Sequence, residues 1–358
     1  MTAEDLLELV RRQDRVPAAR EDAVVVVVGA GAPLEVVLAG GLRPVRALGS
    51  FGEPTPNADK WFGPEFDWES KSIAEKALTG VYENALLMLI DRENAHLYTY
   101  LRELYRLGLA PLLPTLHMVD LVPTGPASAE RFNLQRVQEL VGVLGRVAGR
   151  TITKAELRLG ATEMNRRRAT ARELQDRRAG RRVGVDGFSD LVLRSVSGGD
   201  DLLTVRKQTE ASVLGRRRVA LLADEPLSHL MWHRLVEASG ADVILEDDPW
   251  GARSSLADVD DGVSVLESIA QASGLRAPFR SEHRAEDRYS WFLDQIQKSD
   301  AQSVIVHLGN RDTQIGWDYP FLRREFERIG VRHVAVPAPL ASAEFGGAAT
   351  TAVDYLTT

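Results

Sequence analysis

Nearly unbroken apolar runs of five or six residues alternate along the chain with segments whose apolar positions recur every three or four residues. The short runs are typical of strands buried on both faces, and they occupy residues 23–28, 85–90, 219–223 and 303–308. The second pattern is helical, as in residues 96–107 and 154–178, and Thr153 with Glu156 forms a capping box that starts the second of these helices. A further strand is expected to begin at residues 112–114, and Tyr319-Pro320 is expected to start a helix. Strands that alternate with helices predict parallel sheets joined by right-handed crossovers.

The pattern divides the chain into an α/β fold of two Rossmann-like parallel-sheet lobes with a helical insert. The first α/β lobe is predicted over residues 1–130, the helical segment and a connector over residues 131–215, and the second α/β lobe over residues 216–358. The length of 358 residues supports this division, because single hydrophobic cores stop growing at about 250–300 residues.

Polar residues cluster directly after three of the predicted strands. The clusters lie at residues 91–94, 246–253 and 309–312. Open parallel sheets build their sites at the carboxyl ends of strands, so these clusters are candidates for chemistry. The loop 246–253 is the first candidate, because it closes a strand–helix–strand unit that begins at residue 218.

Two other motifs suggest ligands without requiring them. The Gly29-x-Gly31 turn lacks the third glycine of a dinucleotide fingerprint, and Pro33 occupies the first position of the next helix, so we interpret it as a tight turn. The spacing of His229 and His233 suits a zinc-binding helix, but no glutamate lies between them. Packing or capping is the favoured interpretation, and no metal site is predicted.

Composition and charge narrow the range of partners. The net charge is −7, which provides no electrostatic reason to expect nucleic acid or an anionic membrane surface. No apolar run approaches the roughly 20 residues that a bilayer requires, and residues 1–20 lack the apolar core of a signal peptide, so a cytoplasmic protein is expected. The chain contains no cysteine, which excludes disulfides, thiolate nucleophiles and cysteine-ligated zinc or iron–sulfur clusters.

Several short motifs occur in an order that resembles the catalytic subunits of 2-hydroxyacyl-CoA dehydratases and the related benzoyl-CoA reductases. The matching segments are Pro33-Leu34-Glu35 with Ala39-Gly40-Gly41-Leu42-Arg43-Pro44-Val45, Thr151-Ile152-Thr153 with Leu157, Asn165 with Arg168, Gly240-Ala241-Asp242-Val243 with Glu246-Asp247-Asp248, Gly251 and Arg253, and Arg311-Asp312 with Trp317-Asp318-Tyr319-Pro320. These segments span most of the chain.

The resemblance implies an acyl-CoA substrate, paired homologous subunits and a [4Fe–4S] cluster held by three cysteines in each subunit. At the corresponding places this sequence has Arg92 or one of its neighbours, Pro249 or Trp250, and Arg311. None of these side chains can replace a thiolate ligand. The resemblance therefore implies that this chain binds no cofactor of this kind and that a cluster would belong to a partner subunit.

The predicted site residues form three groups. Catalytic candidates are His117, Asp120, Asp247 and Arg253; residues at the former cluster positions are Asp91, Arg92, Pro249, Trp250, Arg311 and Asp312; candidates for substrate or partner binding are Trp61, Trp68 and Arg166. Arginine–carboxylate pairs could instead simply fill a vacated polar cavity. The aromatic residues could equally pin their loop to a core, and the basic helix around Arg166 could be a solvated face.

The leading hypothesis is that this chain is the cluster-free companion of a homologous, cluster-bearing subunit in a heterodimer. That heterodimer would be an enzyme of the lyase or oxidoreductase class that acts on an acyl-CoA thioester. A first alternative is a stand-alone, redox-free enzyme that uses the vacated pocket for acid/base chemistry. A second alternative is a purely structural subunit.

Overall fold

The computed structural model describes residues 16, 23–50, 52–122, 127–179, 216–223, 231–249, 255, 258–260, 264–275, 284–309, 314–337 and 342–357. The chain forms two compact units. The N-terminal unit comprises Glu8–Arg168 and Ala257–Ala277, and the C-terminal unit comprises Met1–Leu7, Ala169–Leu256 and Pro278–Thr358. Each unit contains a four-stranded parallel sheet, which confirms the predicted α/β fold with two parallel-sheet lobes. The boundaries at residues 130 and 215 stay a prediction.

Strands and helices alternate through much of the chain. The strands are β1 (Val24–Val28), β2 (Arg43–Arg46), β3 (Leu87–Asp91), β4 (Leu116–Val119), β5 (Arg217–Ala223), β6 (Ala241–Asp247), β7 (Ser303–Leu308) and β8 (Arg332–Pro337). The helices are α1 (Leu34–Ala39), α2 (Trp68–Leu78), α3 (Ala95–Arg106), α4 (Ala127–Val147), α5 (Lys154–Ala179), α6 (Met231–Ala238), α7 (Val265–Leu275), α8 (Ala285–Ser299), α9 (Ile315–Arg328) and α10 (Ser342–Thr357).

The sheet of the N-terminal unit has the strand order β2-β1-β3-β4, with every pair parallel. Strand β1 consists of five valines and is fully buried, because both faces of the sheet are covered. On one face, Val25, Val27 and Leu89 pack in a core with residues of α1, α4, α5 and α7. On the other face, Val26 and Met88 pack with residues of α2 and α3 and with the loop before α2.

Helix α7 belongs to the N-terminal unit although it follows β6 in the chain. It packs against α4, and its buried residues Val265 and Ile269 join the same core as β1. The apolar pattern of α7 identifies a buried face but not the sheet that the face covers, so its place in the N-terminal unit is a structural finding.

The sheet of the C-terminal unit repeats the topology, with the strand order β6-β5-β7-β8 and every pair parallel. One hydrophobic core of this unit joins strand residues to aromatic residues of α8 and α9, among them Tyr289, Phe292 and Phe326. Helix α6 contacts β6, and α10 contacts β8 and α6.

Three local expectations are corrected. The strand expected at residues 112–114 is wrong, because β4 begins at Leu116. Glu246 and Asp247, expected in a loop, belong to β6 and are buried. Helix α9 begins at Ile315, so Pro320 lies inside the helix instead of starting it. Within the described residues, no helix has both the length and the apolar character needed to cross a bilayer.

Candidate functional site

The carboxyl edge of the N-terminal sheet, meaning the ends of β1 to β4 and the residues that directly follow them, carries the best-defined polar cluster. The strand order places the topological switch point between β1 and β3, where doubly wound folds bind ligands. The 29–31 turn (Gly29, Ala30 and Gly31) follows β1, and Asp91 ends β3. Because Val28 pairs with Ile90, the turn and Asp91 are adjacent.

Asp91 occupies the 29–31 turn with its carboxylate. The Gly31 N–H donates to Oδ2 at 2.9 Å, while the backbone N–H and the Nδ2 of Asn94 donate to Oδ1 at 3.2 and 2.8 Å. Gly29 has a φ of 82°, and a Cβ there would overlap the Asp91 carboxylate. Position 29 therefore requires glycine both for its backbone conformation and for space.

Arg46, at the end of β2, supplies a positive charge beside this carboxylate. Its Nη1 donates to the Gly29 carbonyl oxygen at 3.3 Å. Burial lowers the pKa of Arg46 from its usual value to about 10, and the negative charge of Asp91 partly opposes that shift. The turn therefore holds an anion that belongs to the protein itself.

Arg92 and Asp120 form an ion pair at the same edge. Arg92 Nη1 donates to Asp120 Oδ1 at 2.6 Å, and the two side chains are 51% and 27% exposed. The backbone after β4 is held by the buried Asn133 of α4, whose side-chain amide exchanges hydrogen bonds of 2.7 and 2.8 Å with the backbone of Val122. This clamp positions Asp120 opposite Arg92.

His117 lies elsewhere on the same sheet. It sits within β4 opposite Leu89, on the face that α4 covers, and it interacts electrostatically with Glu139, Arg146 and Arg136 of that helix. Partial burial lowers the pKa of His117; the charge of Glu139 opposes this, while the two arginines reinforce it. The sequence groups His117 and Asp120 as catalytic candidates, but the structure gives them different partners.

The aromatic loop, residues 61–68, mainly packs on the N-terminal unit. Phe66 makes edge contacts with Phe62 and Tyr100, with ring centroids 4.9 and 4.7 Å apart. Trp68 is the first residue of α2, and its ring lies against Gly49. Trp61 is different, because it remains 43% exposed and can contact a ligand or a partner.

Arg166, the other substrate-binding candidate, lies on the solvated face of α5. Its Nε and Nη2 both donate at 2.8 Å to Glu163, which Arg167 also contacts. These interactions, above all the hydrogen bond from Arg166, lower the pKa of Glu163 to about 2. The basic residues are thus interleaved with acids, as one of the two interpretations of this helix expects.

A buried network to which the sequence assigns no role connects two of the matching motifs. Arg168 donates to Glu35 across 133 residues of sequence, and its Nη1 donates to Asn165 Oδ1 at 2.6 Å. The same Asn165 amide exchanges hydrogen bonds of 2.8 and 2.9 Å with the backbone of Val259. Glu35 and Arg168 are 0% and 5% exposed, so the pair is internal. The only signal for it in the sequence is that both residues belong to matching motifs.

The C-terminal unit carries a second polar cluster at the end of β6. Glu246, Asp247 and Asp248 are all buried, and Glu246 Oε1 lies 2.8 Å from Nε2 of the buried His233. From the same helix, Trp232 Nε1 donates to Nδ1 of His307 in β7 at 3.2 Å. His233 therefore pairs with a carboxylate. His229 lies outside the described residues, so the packing or capping role of the two histidines stays a prediction.

Four predicted site residues lie outside the described part of the chain, namely Trp250, Arg253, Arg311 and Asp312. Pro249, at one former cluster position, is described and lies just after Asp248.

The residues present do not fit a cysteine-ligated iron–sulfur cluster. The whole sequence lacks cysteine, and the one former cluster position described in the N-terminal unit holds Arg92, which is engaged by Asp120. An arginine has no lone pair to offer a metal. Within the described ranges, no group of three or more histidine, aspartate or glutamate side chains is arranged to hold a metal ion.

Comparison with curated proteins finds no match. Among solved structures, the SBP FpvC from Pseudomonas aeruginosa in complex with Mn2+ matches at 10% identity over 94% of this chain and 97% of that chain, with a TM-score of 0.25. So low a TM-score carries no argument about fold or ligand. The family model described as 2-hydroxyglutaryl-CoA dehydratase, D-component, matches residues 30–351. The chain therefore belongs to the 2-hydroxyglutaryl-CoA dehydratase D-component family.

Proposed function

We propose that this chain is the cluster-free subunit of a 2-hydroxyacyl-CoA dehydratase-like enzyme, and that a homologous partner subunit holds the [4Fe–4S] cluster. One observation carries the proposal: the family match runs over residues 30–351, yet the sequence contains no cysteine. A chain that keeps the family's architecture without its ligands can still contribute binding and assembly.

The carboxyl edge of the N-terminal sheet supports the proposal that the partner subunit, and not this chain, holds the cluster. Arg92 stands where the resemblance expects a ligand, and its ion pair with Asp120 satisfies both charges without a metal. When bound, a cluster would supply low-potential electrons, and this chain has no residue through which to hold it in the family's way. This chain would contribute the polar surface around Arg92 and Asp120 and the exposed ring of Trp61, which could contact an acyl-CoA thioester or the partner subunit.

Affinity purification of the tagged chain from its native source, under anoxic conditions, tests the proposal. We expect a cysteine-bearing homologue to co-purify in a one-to-one ratio, and an acyl-CoA to bind the complex. A chain that purifies alone, and that binds neither acyl-CoA nor the separately produced homologue, would contradict the proposal.

A stand-alone, redox-free enzyme is the second candidate, and His117 is the observation in its favour. Its lowered pKa keeps the imidazole neutral at neutral pH, as a general base requires. This candidate predicts turnover of an acyl-type substrate without metal or reductant, and loss of that turnover in His117→Gln. Asp247→Ala tests the alternative of a purely structural subunit. A change in stability with unaltered turnover of the assembled enzyme would support a structural role for Asp247.

A further inference from the structure

The 29–31 turn is built like a binding site for an oxyanion, although its occupant is a side chain of the same protein. Three hydrogen-bond donors converge on the Asp91 carboxylate, namely the backbone N–H of Gly31, the backbone N–H of Asn94 and the side-chain Nδ2 of Asn94. The donors come from two segments, one after β1 and one after β3, and N–H groups that converge in this way can hold an anion, as the backbone N–H groups of protein nests do. Asp91 is 3% exposed, so water contributes little to the solvation of its carboxylate.

The shape of the turn matches this chemistry. A Cβ at Gly29 would overlap the Asp91 carboxylate, and a Cβ at Gly31 would lie 3.2 Å from its Oδ2. Glycines at both positions therefore let an anion approach the backbone directly, which is the role that glycines have in phosphate-binding turns. The position at the β1–β3 switch point is the place where doubly wound sheets receive such groups.

A cation completes the site. Arg46 lies at the end of the adjacent strand β2, interacts electrostatically with Asp91 and donates to the Gly29 carbonyl oxygen. A guanidinium beside a cluster of N–H donors selects an anion with several oxygen atoms.

We propose that the 29–31 turn, with Asn94 and Arg46, is a binding site of the phosphate class that the Asp91 side chain fills and closes. The site therefore holds an internal carboxylate in place of a phosphoryl group. Any phosphate group of a ligand must bind this unit elsewhere as long as Asp91 stays in the turn. This inference does not depend on the proposed function, because it concerns only the chemistry of the turn.

The test removes the internal carboxylate and offers external anions. Asp91→Ala should lower the melting temperature of the full-length chain, and inorganic phosphate should raise it again by about 5 °C at saturation, because a ligand that binds only the folded state stabilises it. Formate serves as a smaller oxyanion, and sodium chloride at equal ionic strength controls for general salt effects. The wild-type chain should not respond to phosphate.

Two further variants make the result specific. Asp120→Ala removes a different acid from the same edge and should acquire no phosphate response. Arg46→Met in the Asp91→Ala background should abolish the response. If Asp91→Ala does not fold, Asp91→Ser is measured instead, because its hydroxyl retains one acceptor near the donors.

Each outcome decides the matter. Stabilisation of the Asp91 variant by phosphate, dependent on Arg46, supports the proposal. Stabilisation by formate alone would overturn the assignment to the phosphate class. An Asp91 variant that responds to neither anion, or no more than Asp120→Ala does, would overturn the proposal entirely.

Discussion

Glycine at position 160 lets α5 approach α1 more closely than any side chain would permit. A Cβ there would overlap the Glu35 carbonyl oxygen and lie 3.2 Å from the Ala39 nitrogen, both of which are backbone atoms. The buried Glu35–Arg168 pair joins the same two helices. Close helix contact and the charge network therefore depend on each other, since a wider gap would separate the charges.

We expect Gly160→Ala to lower the free energy of unfolding by about 2 kcal/mol, because a methyl group meets backbone that cannot move away. Gly142→Ala, in α4, is the matched control, since only the flexible end of Arg146 would lie within 4 Å of a Cβ at that position. That change should be neutral or stabilising by up to about 1 kcal/mol, as alanine favours helix. Urea unfolding measures both variants, and equal effects would contradict the close-contact argument.

The lowered pKa of His117 makes stability depend on pH with a defined sign. In the unfolded chain the imidazole takes up a proton near pH 6.5, whereas the folded protein resists protonation at this position. The unfolded state thus binds more protons as the pH falls below 6.5, and the folded protein loses stability there.

His117→Gln should therefore flatten the decrease in unfolding free energy between pH 7 and pH 5 without changing the slope of the profile above pH 7.5. His333→Gln is a comparison at a second histidine with a lowered pKa, less buried than His117, and should flatten the profile less. A pH profile of His117→Gln that is parallel to that of the wild type would contradict the assignment.

At the scale of elements, Glu75 of α2 holds the segment that leads to the aromatic loop. Its carboxylate accepts from the Asn57 N–H at 2.7 Å, from Asn57 Nδ2 at 2.8 Å and from the Ala58 N–H at 2.8 Å. The short 3-10 turn Ala58–Lys60, which leads to the aromatic residues, is thus connected to α2 by this side chain and by the ion pair between Lys71 of α2 and Asp59 at 3.0 Å.

We expect Glu75→Ala to accelerate amide hydrogen exchange at Asn57 and Ala58 by about tenfold or more, because hydrogen bonds to a charged acceptor contribute about 1.5–3 kcal/mol. Glu53→Ala, which removes an exposed acid nearby, should leave those rates unchanged. Unaltered exchange in Glu75→Ala would contradict this role of Glu75 and would assign the segment's attachment to aromatic packing and the Lys71–Asp59 ion pair.

The sequence predicts an element well where one pattern dominates it. The all-valine β1 and the capping box of α5 are both confirmed, and Thr153 N–H donates to Glu156 Oε2 at 2.7 Å as expected. The apolar signal of β4 is weak because it is an edge strand that contains His117, and the sequence places this strand too early. The sequence starts α9 too late because Pro320, usually a first-turn residue, lies inside it.

The candidate site is predictable only in part, for a physical reason. Strand ends identify Asp91, Arg92 and Asp120 as polar residues at one edge, but not which of them pair. Asp91 points towards the glycine turn, while Arg92 reaches Asp120. Such choices depend on side-chain direction and on clamps such as Asn133, and neither leaves a periodic trace in the sequence.

At the scale of the whole molecule, the chain matches its family model over most of its length and contains no cysteine. The match extends over residues 30–351, and both units have intact parallel sheets. Buried carboxylates lie at the ends of β3 and β6, and an ion pair joins the segments that follow β3 and β4. We therefore expect the assembled enzyme, and not this chain alone, to carry any cluster.

The most direct measurement is iron and acid-labile sulfide in the anoxically purified native complex, repeated on this chain after the subunits are separated. The account predicts about four iron atoms and matching sulfide for each cluster-bearing partner subunit, and none with this chain. Iron and sulfide that remain with this chain in stoichiometric amounts would contradict it, as would a native preparation that contains this chain alone and no iron.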